Sequence, residues 1–250
     1  MRRWVLPALL LATLLGLWQL AASTGMLADA LGLEPFLVPS PAEIAEALWR
    51  SRALIAENAW VTLREILLGL AVAFAGGIAI GLAMHLSRLA RDTLSPLIVA
   101  SQAVPIIVIA PILVIWFGYG IWPKAAVVAL VCFFPVALGV LAGLRSADPA
   151  ATKMMRTLDA NRAQILWWVE TPWAMPNFFT GAKVAVVIAP IGAVFGEWVG
   201  ANQGLGRAII YDNAQLQTAN LFGDVVVLAA MALALYGLLA LVEQRVVTWR

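Results

Sequence analysis

Apolar runs of membrane-crossing length alternate with short polar intervals along most of the chain. Six stand out: Trp4 to Ala22, then about 61–84, 95–117, 123–144, 180–200 and 222–243. Each supplies the roughly 20 residues that a helix needs to cross a hydrocarbon core. The expected fold is therefore all-α, a polytopic membrane protein of six transmembrane helices. No polar linker is long enough to separate two domains, so residues 1–250 are expected to form one transmembrane domain with its core at 58–243.

The individual runs carry further signals. Met1-Arg2-Arg3 ahead of the first run fits either a signal peptide or an uncleaved span. The run is longer than a usual signal core and holds Trp18 and Gln19 late, which favours a retained span. Between 23 and 58 the pattern is mixed. Pro39-Ser40-Pro41 predicts a stiff turn in which Ser40 caps a helix with Pro41 at its first position. That helix is amphipathic, with Ile44, Ala45 and Leu48 on one face and Glu43, Glu46 and Arg50 on another, and is expected to lie on the surface. Gly69, Gly76, Gly77 and Gly81 give the 61–84 span a small face for close helix approach. Pro96, Pro105 and Pro111 kink or interrupt the 95–117 span, and such breaks often line transport pathways.

One long polar-rich interval, Arg145 to Pro176, interrupts the second half and is taken as a loop at 145–178 on one membrane face. Asp159 is placed to cap a helix running from Ala160 to about Val169. Ile165, Leu166 and Val169 share one side of it, while Asn161, Arg162 and Gln164 form a polar tip. Thr171-Pro172 is expected to break it, because proline removes a donor and disfavours helix at the preceding residue. Two readings of this helix stay open. It docks a soluble partner, or it is an interfacial helix that only caps the bundle.

Composition agrees with a membrane protein: 63% of residues are hydrophobic and 12% charged, with a mean hydropathy of +0.92. The net charge of +2 is small, so the distribution of basic residues matters more than their sum. With six spans both termini lie on one side. If that side is the cytoplasm, it holds Arg2, Arg3, Arg88, Arg91, Arg145, Lys153, Arg156, Arg162, Lys183, Arg245 and Arg250. Arg50, Arg52, Arg64, Lys124 and Arg207 fall outside or near the outer face. The excess inside orients the chain and places the long loop in the cytoplasm. The lone Cys132 excludes a disulfide framework within the chain, and it and the lone His85 are read as structural.

Chemistry-bearing patterns are sparse. There is no GxxxxGK[ST] phosphate loop, no Ser/His/Asp set and no cluster suited to a metal, so no catalytic residue, cofactor or metal is expected. Ionisable residues at membrane depth are scarce, with Glu197 in Gly196-Glu197-Trp198-Val199-Gly200 the exception. Glu197 either faces the translocation pathway and contacts solute, or is hydrated near the outer surface or paired with Arg207. Pro105 and Pro111 are further pathway candidates.

The loop resembles the cytoplasmic "EAA" loop of permease subunits of bacterial ABC importers: E-A-A, three residues, Gly, nine residues, I-x-L-P. Lys153-Met154-Met155 stand at the first triplet, Asp159 at the glycine, and Val169-Glu170-Thr171-Pro172 at the end. The spacing and the proline are kept; the triplet, the glycine and the leucine are not. FLVPSPAEIAEAL near 40, QAVPIIVIAPILVIWFGYG near 110 and GAVFGEWVGANQGLGRAI near 200 extend the resemblance over nearly the whole chain. They look most like the branch serving alkanesulfonate, taurine, nitrate and thiamin-precursor pyrimidines.

That resemblance implies a MetI-like permease fold in the bacterial inner membrane, working as a dimer, with ATP bound by a separate ATPase subunit. It implies that Met155, Thr157, Leu158, Asp159, Ala160, Asn161, Arg162, Gln164, Ile165, Val169 and Pro172 serve ATPase coupling. It also implies that a periplasmic binding protein delivers solute near Tyr119, Trp122, Gly204 and Gly206. Within the branch, Leu158-Asp159-Ala160, the Gly196 to Gly200 stretch and Tyr211-Asp212-Asn213-Ala214 look most like thiamin-precursor pyrimidine permeases. An acid at Glu197 suits an aminopyrimidine better than a sulfonate. Alkanesulfonate or taurine uptake remains the alternative, and a secondary carrier or channel without ATPase is the alternative of another class.

Overall fold

The computed structural model describes residues 2–249; the side chains of Arg2 and Arg3, and Arg250, all counted in the charge balance, lie outside what it describes. Among the described residues the regular elements are all helical. They are α1 (Arg2–Ser23), α2 (Met26–Leu31), α3 (Pro41–Arg50), α4 (Arg52–Leu86), α5 (Arg88–Ser101), α6 (Ile106–Phe117) and α7 (Ile121–Arg145). There follow α8 (Pro149–Thr157), α9 (Arg162–Ile165), a π-helical turn (Leu166–Glu170), α10 (Thr171–Gly200), α11 (Leu205–Ala214) and α12 (Thr218–Val246). Among the described residues five helices are long and apolar enough to cross a membrane, or six if the α5–α6 pair counts as one broken span.

That pair shows how proline shapes the bundle. Its two halves are bent by 102°. The break falls at Gln102 to Pro105, with Pro105 in extended geometry ahead of α6. Pro96 and Pro111 lie inside the two halves and do not interrupt them. The span expected at 61–84 also differs, because helix α4 begins at Arg52 and runs for 35 residues. At about 1.5 Å per residue it is much longer than a hydrocarbon core.

The chain divides into two compact units, residues 1–61 with 203–229, and residues 62–202 with 230–250. In the first, Ser40 caps α3 in the expected way. Its side chain accepts from the Glu43 N–H while Glu43 accepts from the Ser40 N–H, a reciprocal capping box with Pro41 at the first helical position. Gln19 late in α1 accepts from the Ala42 N–H at 2.9 Å, which gives that residue a structural role. Trp18 packs against Phe222, and the Thr218 hydroxyl donates to the Phe36 carbonyl.

The core of the second unit is a buried cluster built from α4, α7 and α10, including Ile66, Leu70, Val128, Val136, Ala185 and Ala189. Small residues let α7 and α10 run antiparallel at close range. A methyl group added at Gly181 would lie 2.2 Å from the Pro135 carbonyl oxygen, and one at Gly192 would lie 2.9 Å from Val128 Cα. The glycine face of α4 is real but narrower than expected. Gly69, Gly77 and Gly81 meet Val128, Val136 and Val140, whereas a methyl at Gly76 would meet nothing within 4 Å.

Candidate functional site: the helix-turn element between α7 and α10

The loop expected at 145–178 is two short helices joined by a tight turn, followed directly by a long span. Asp148 caps α8, its carboxylate accepting from the Ala150 N–H at 2.8 Å, with Pro149 at the first helical position. At the other end the Ala160 N–H donates to the Met155 carbonyl at 3.0 Å and the Asp159 N–H to the Arg156 carbonyl at 3.1 Å. This is the Schellman closure of a helix, which needs a left-handed residue between the two donors' helix and the next segment. Asp159 is that residue, with φ 56°.

Asp159 is therefore not the cap of the following helix, contrary to expectation. Asn161 is. Its side chain accepts from the Gln164 N–H at 2.9 Å, and Gln164 accepts from the Asn161 N–H at 2.7 Å. The sequence signal for both roles is the same, because short polar side chains favour caps and left-handed turns alike. The turn explains why glycine stands here in the resembled motif.

Thr171-Pro172 does not break the helix either. The turn Leu166–Glu170 widens to π geometry, with the Thr171 N–H donating to the Leu166 carbonyl. The wider turn frees the carbonyls that the proline ring would strike or leave unbonded in a straight α-helix, so Pro172 sits inside a continuous path into α10.

Around α9 the sides are sharply divided. Ile165 and Val169 are buried and Leu166 is half-buried. Asn161, Arg162, Ala163 and Gln164 are exposed, as are Thr157, Leu158 and Asp159 in the preceding turn, while Met155 and Ala160 are half-buried. Trp167 and Trp168 are 69% and 75% exposed and border an open cleft of about 460 Å³ with Asn161, Ala163 and Gln164. These two tryptophans were missed in the sequence, where they read as part of a helix face.

Beneath the exposed tip lies a charged contact. Glu170 is 5% exposed. It accepts from Arg162 Nη1 at 2.9 Å through one carboxylate oxygen and lies 2.8 Å from His85 Nε2 through the other. His85, in the last turn of α4, is 3.1 Å from Arg162 Nη2. His85 thus has partners, but 77 and 85 residues away in sequence.

Glu197 is fully buried and accepts from the Thr62 hydroxyl at 2.6 Å, so the hydrated surface reading does not hold. Arg207 is exposed. One turn from Thr62 along α4, Glu65 accepts from Lys124 at 2.7 Å, both side chains being buried. Lys124, in the first turn of α7, is therefore buried in an ion pair rather than free at the surface. Lys183 likewise pairs with Glu243. Pro105 and Pro111 are exposed, whereas Glu197 is enclosed. Tyr119 and Trp122 are 83% and 63% exposed, suiting an outward contact. Gly204 and Gly206 are buried; the Gly204 N–H donates to the Asn58 side chain at 3.0 Å, so these glycines shape the segment without presenting surface. Among the described residues no group of three His, Cys, Asp or Glu side chains could hold a metal.

Residues 66–248 match the family described as "Binding-protein-dependent transport system inner membrane component". The chain is 37% identical over 94% of its length to a probable ABC transporter permease protein of Haemophilus influenzae, covering 93% of that protein. It is 33% identical over 98% of its length to the formylaminopyrimidine transport permease protein ThiX of Halalkalibacterium halodurans, covering 95% of that protein. It is 30% identical over 96% of its length to the taurine transport system permease protein TauC of Escherichia coli, covering 87% of that one. Among solved structures, the MetNI methionine ABC transporter in an inward-facing conformation matches with a TM-score of 0.64 at 20% identity. That match covers 80% of this chain and 97% of the other, and it supports the fold alone.

Proposed function

The chain belongs to the family of binding-protein-dependent transport system inner membrane components, and from that premise we propose how this permease is driven and what it carries. It is the multi-pass inner-membrane permease subunit of an ABC importer. Family membership removes the carrier or channel alternative.

The element from Asp159 to Val169 docks a separate ATPase subunit. The observation that carries this reading is α9 itself: a rigid, doubly capped tip bordered by two exposed tryptophans on an open cleft. Large exposed aromatics beside polar groups are the composition of a protein-binding surface rather than of a solvated loop. The docking face is cytoplasmic, and both termini lie on that side, by the excess of basic residues counted above. Lys124 is buried and Lys183 half-buried, each in an ion pair; leaving out one cation from each side of that count leaves its sign unchanged. Two permease copies form the pathway above two ATPase subunits, and ATP is bound by those partners. A binding protein delivers solute on the opposite face, where Tyr119 and Trp122 offer an exposed aromatic contact.

The solute is a thiamin-precursor pyrimidine. Support comes from the 33% identity to the formylaminopyrimidine permease across almost all of both chains. The carboxylate of Glu197 does not add to it, because that group is wholly buried, with the Thr62 hydroxyl donating to it. Taurine or alkanesulfonate uptake is the second reading, supported by the 30% identity to the taurine permease. ATP-dependent uptake into proteoliposomes holding the permease, its ATPase and its binding protein separates the two. Accumulation of labelled formylaminopyrimidine that excess taurine leaves unchanged supports the first; accumulation of taurine alone overturns it.

A further inference from the structure

The helix that carries the docking tip continues through the π turn into α10, so displacement of α9 passes to that span along the backbone. A second route exists through side chains. Glu170 sits in the π turn with its carboxylate almost wholly enclosed. One oxygen is held by Arg162 on α9 and the other by His85 in the last turn of α4. A buried carboxylate is retained only where paired and hydrogen-bonded, and here both oxygens are so engaged. The arginine fork reaches Glu170 with one nitrogen; the other lies against His85 Nε2, which donates its proton to Glu170 and so does not also accept from Arg162. Elements distant in sequence are thereby tied at one point.

We propose that Glu170 is a positioning residue for coupling, transmitting displacement of the docking helix α9 to the end of the α4 span through Arg162 and His85. The inference rests on the reading that α9 docks an ATPase. It adds that α4 moves with α9 because a single carboxylate clamps both. The contact satisfies the requirement that coupling run through groups able to take two arrangements, since the half-exposed Arg162 can leave the carboxylate while His85 remains on it. Sequence cannot show such a link, because Glu170 falls at the unrestricted position of the I-x-L-P pattern and His85 reads as a lone histidine.

The test uses the complete complex of permease, ATPase and binding protein in proteoliposomes, comparing wild type, Glu170→Gln, His85→Asn and the double variant. Solute uptake and ATP hydrolysis are measured on the same samples, and ATPase retention is read by copurification. Glu170→Gln is expected to keep the ATPase bound and hydrolysing while uptake per ATP falls at least about fivefold, the lower end of ordinary coupling between sites. His85→Asn cuts the far end of the same link and is expected to give the same split, and the double variant is expected to be no worse than either single one. A merely structural role would lower uptake and hydrolysis together. Uptake per ATP equal to wild type in either single variant overturns the inference, as does strict additivity in the double. Where Glu170→Gln lowers the yield of inserted protein, His85→Asn alone decides. A wild-type permease that captures no ATPase overturns the docking reading, and this inference with it.

Discussion

Lys124 on α7 and Glu65 on α4 form an enclosed ion pair, 2.7 Å apart with side chains 9% and 2% exposed. Removing one partner strands a charge in an apolar bundle, whereas removing both leaves only a packing problem. Lys124→Met is therefore expected to lower stability by about 3–5 kcal/mol, and Lys124→Met with Glu65→Leu to recover most of that loss. Thermal unfolding of the detergent-solubilised permease measures both. A double variant as unstable as the single one would contradict this balance of desolvation and attraction.

Asp159 carries a left-handed backbone where glycine costs nothing. An L-residue in that region is disfavoured by roughly 1–2 kcal/mol, somewhat less for aspartate. Asp159→Gly is expected to raise the midpoint of thermal unfolding slightly, and Asp159→Val to lower it. The comparison reads directly whether the turn, rather than a helix cap, is what this position supplies.

The glycine face of α4 yields a contrast within eight residues. A Cβ at Gly69 would stand 2.4 Å from Val128 Cβ, while one at Gly76 meets open space. Gly69→Ala is expected to cost about 1–3 kcal/mol through overpacking. Gly76→Ala is expected to be neutral or stabilising by up to about 1 kcal/mol, since glycine is a poor helix former. Parallel melting curves of the two variants decide it.

Much of this architecture was legible in the chain because the bilayer imposes a coarse rule. Long apolar runs mark the spans, Ser40-Pro41 marks the start of α3, and three prolines mark 95–117 as interrupted without showing that Pro105 alone makes the break. What failed were signals with two physical meanings. Aspartate serves as helix cap and as left-handed turn, so Asp159 was misassigned while Asn161, two residues on, held the cap. Pro172 terminates an α-helix but is tolerated after a π turn, which no local pattern announced. Pairings across the bundle were invisible for a different reason. Lys124 and Glu65 lie 59 residues apart, and Lys124 alone reads as a charge near the outer face.

Asp212, on α11 outside the spans, has its carboxyl held above the ordinary carboxylate range by partial burial. A raised acid in the folded state binds its proton more readily than in the unfolded state. Its destabilising effect is thus full above the raised value and fades as pH falls toward the ordinary one. Asp212→Asn is expected to raise stability at neutral pH and to lose that advantage at the acid end of the window. Unfolding midpoints of both proteins across pH give the sign.

Whether the tip of α9 holds an ATPase is tested at Ala163, without touching the core. Ala163 is exposed and borders the cleft with Trp167 and Trp168. Copurification of the ATPase with wild type and with Ala163→Arg, from the same detergent extract, is the most direct measurement. Loss of the ATPase from the variant, with unchanged permease yield and melting behaviour, is the predicted result. An ATPase retained at wild-type stoichiometry by Ala163→Arg would place the dock elsewhere on the permease.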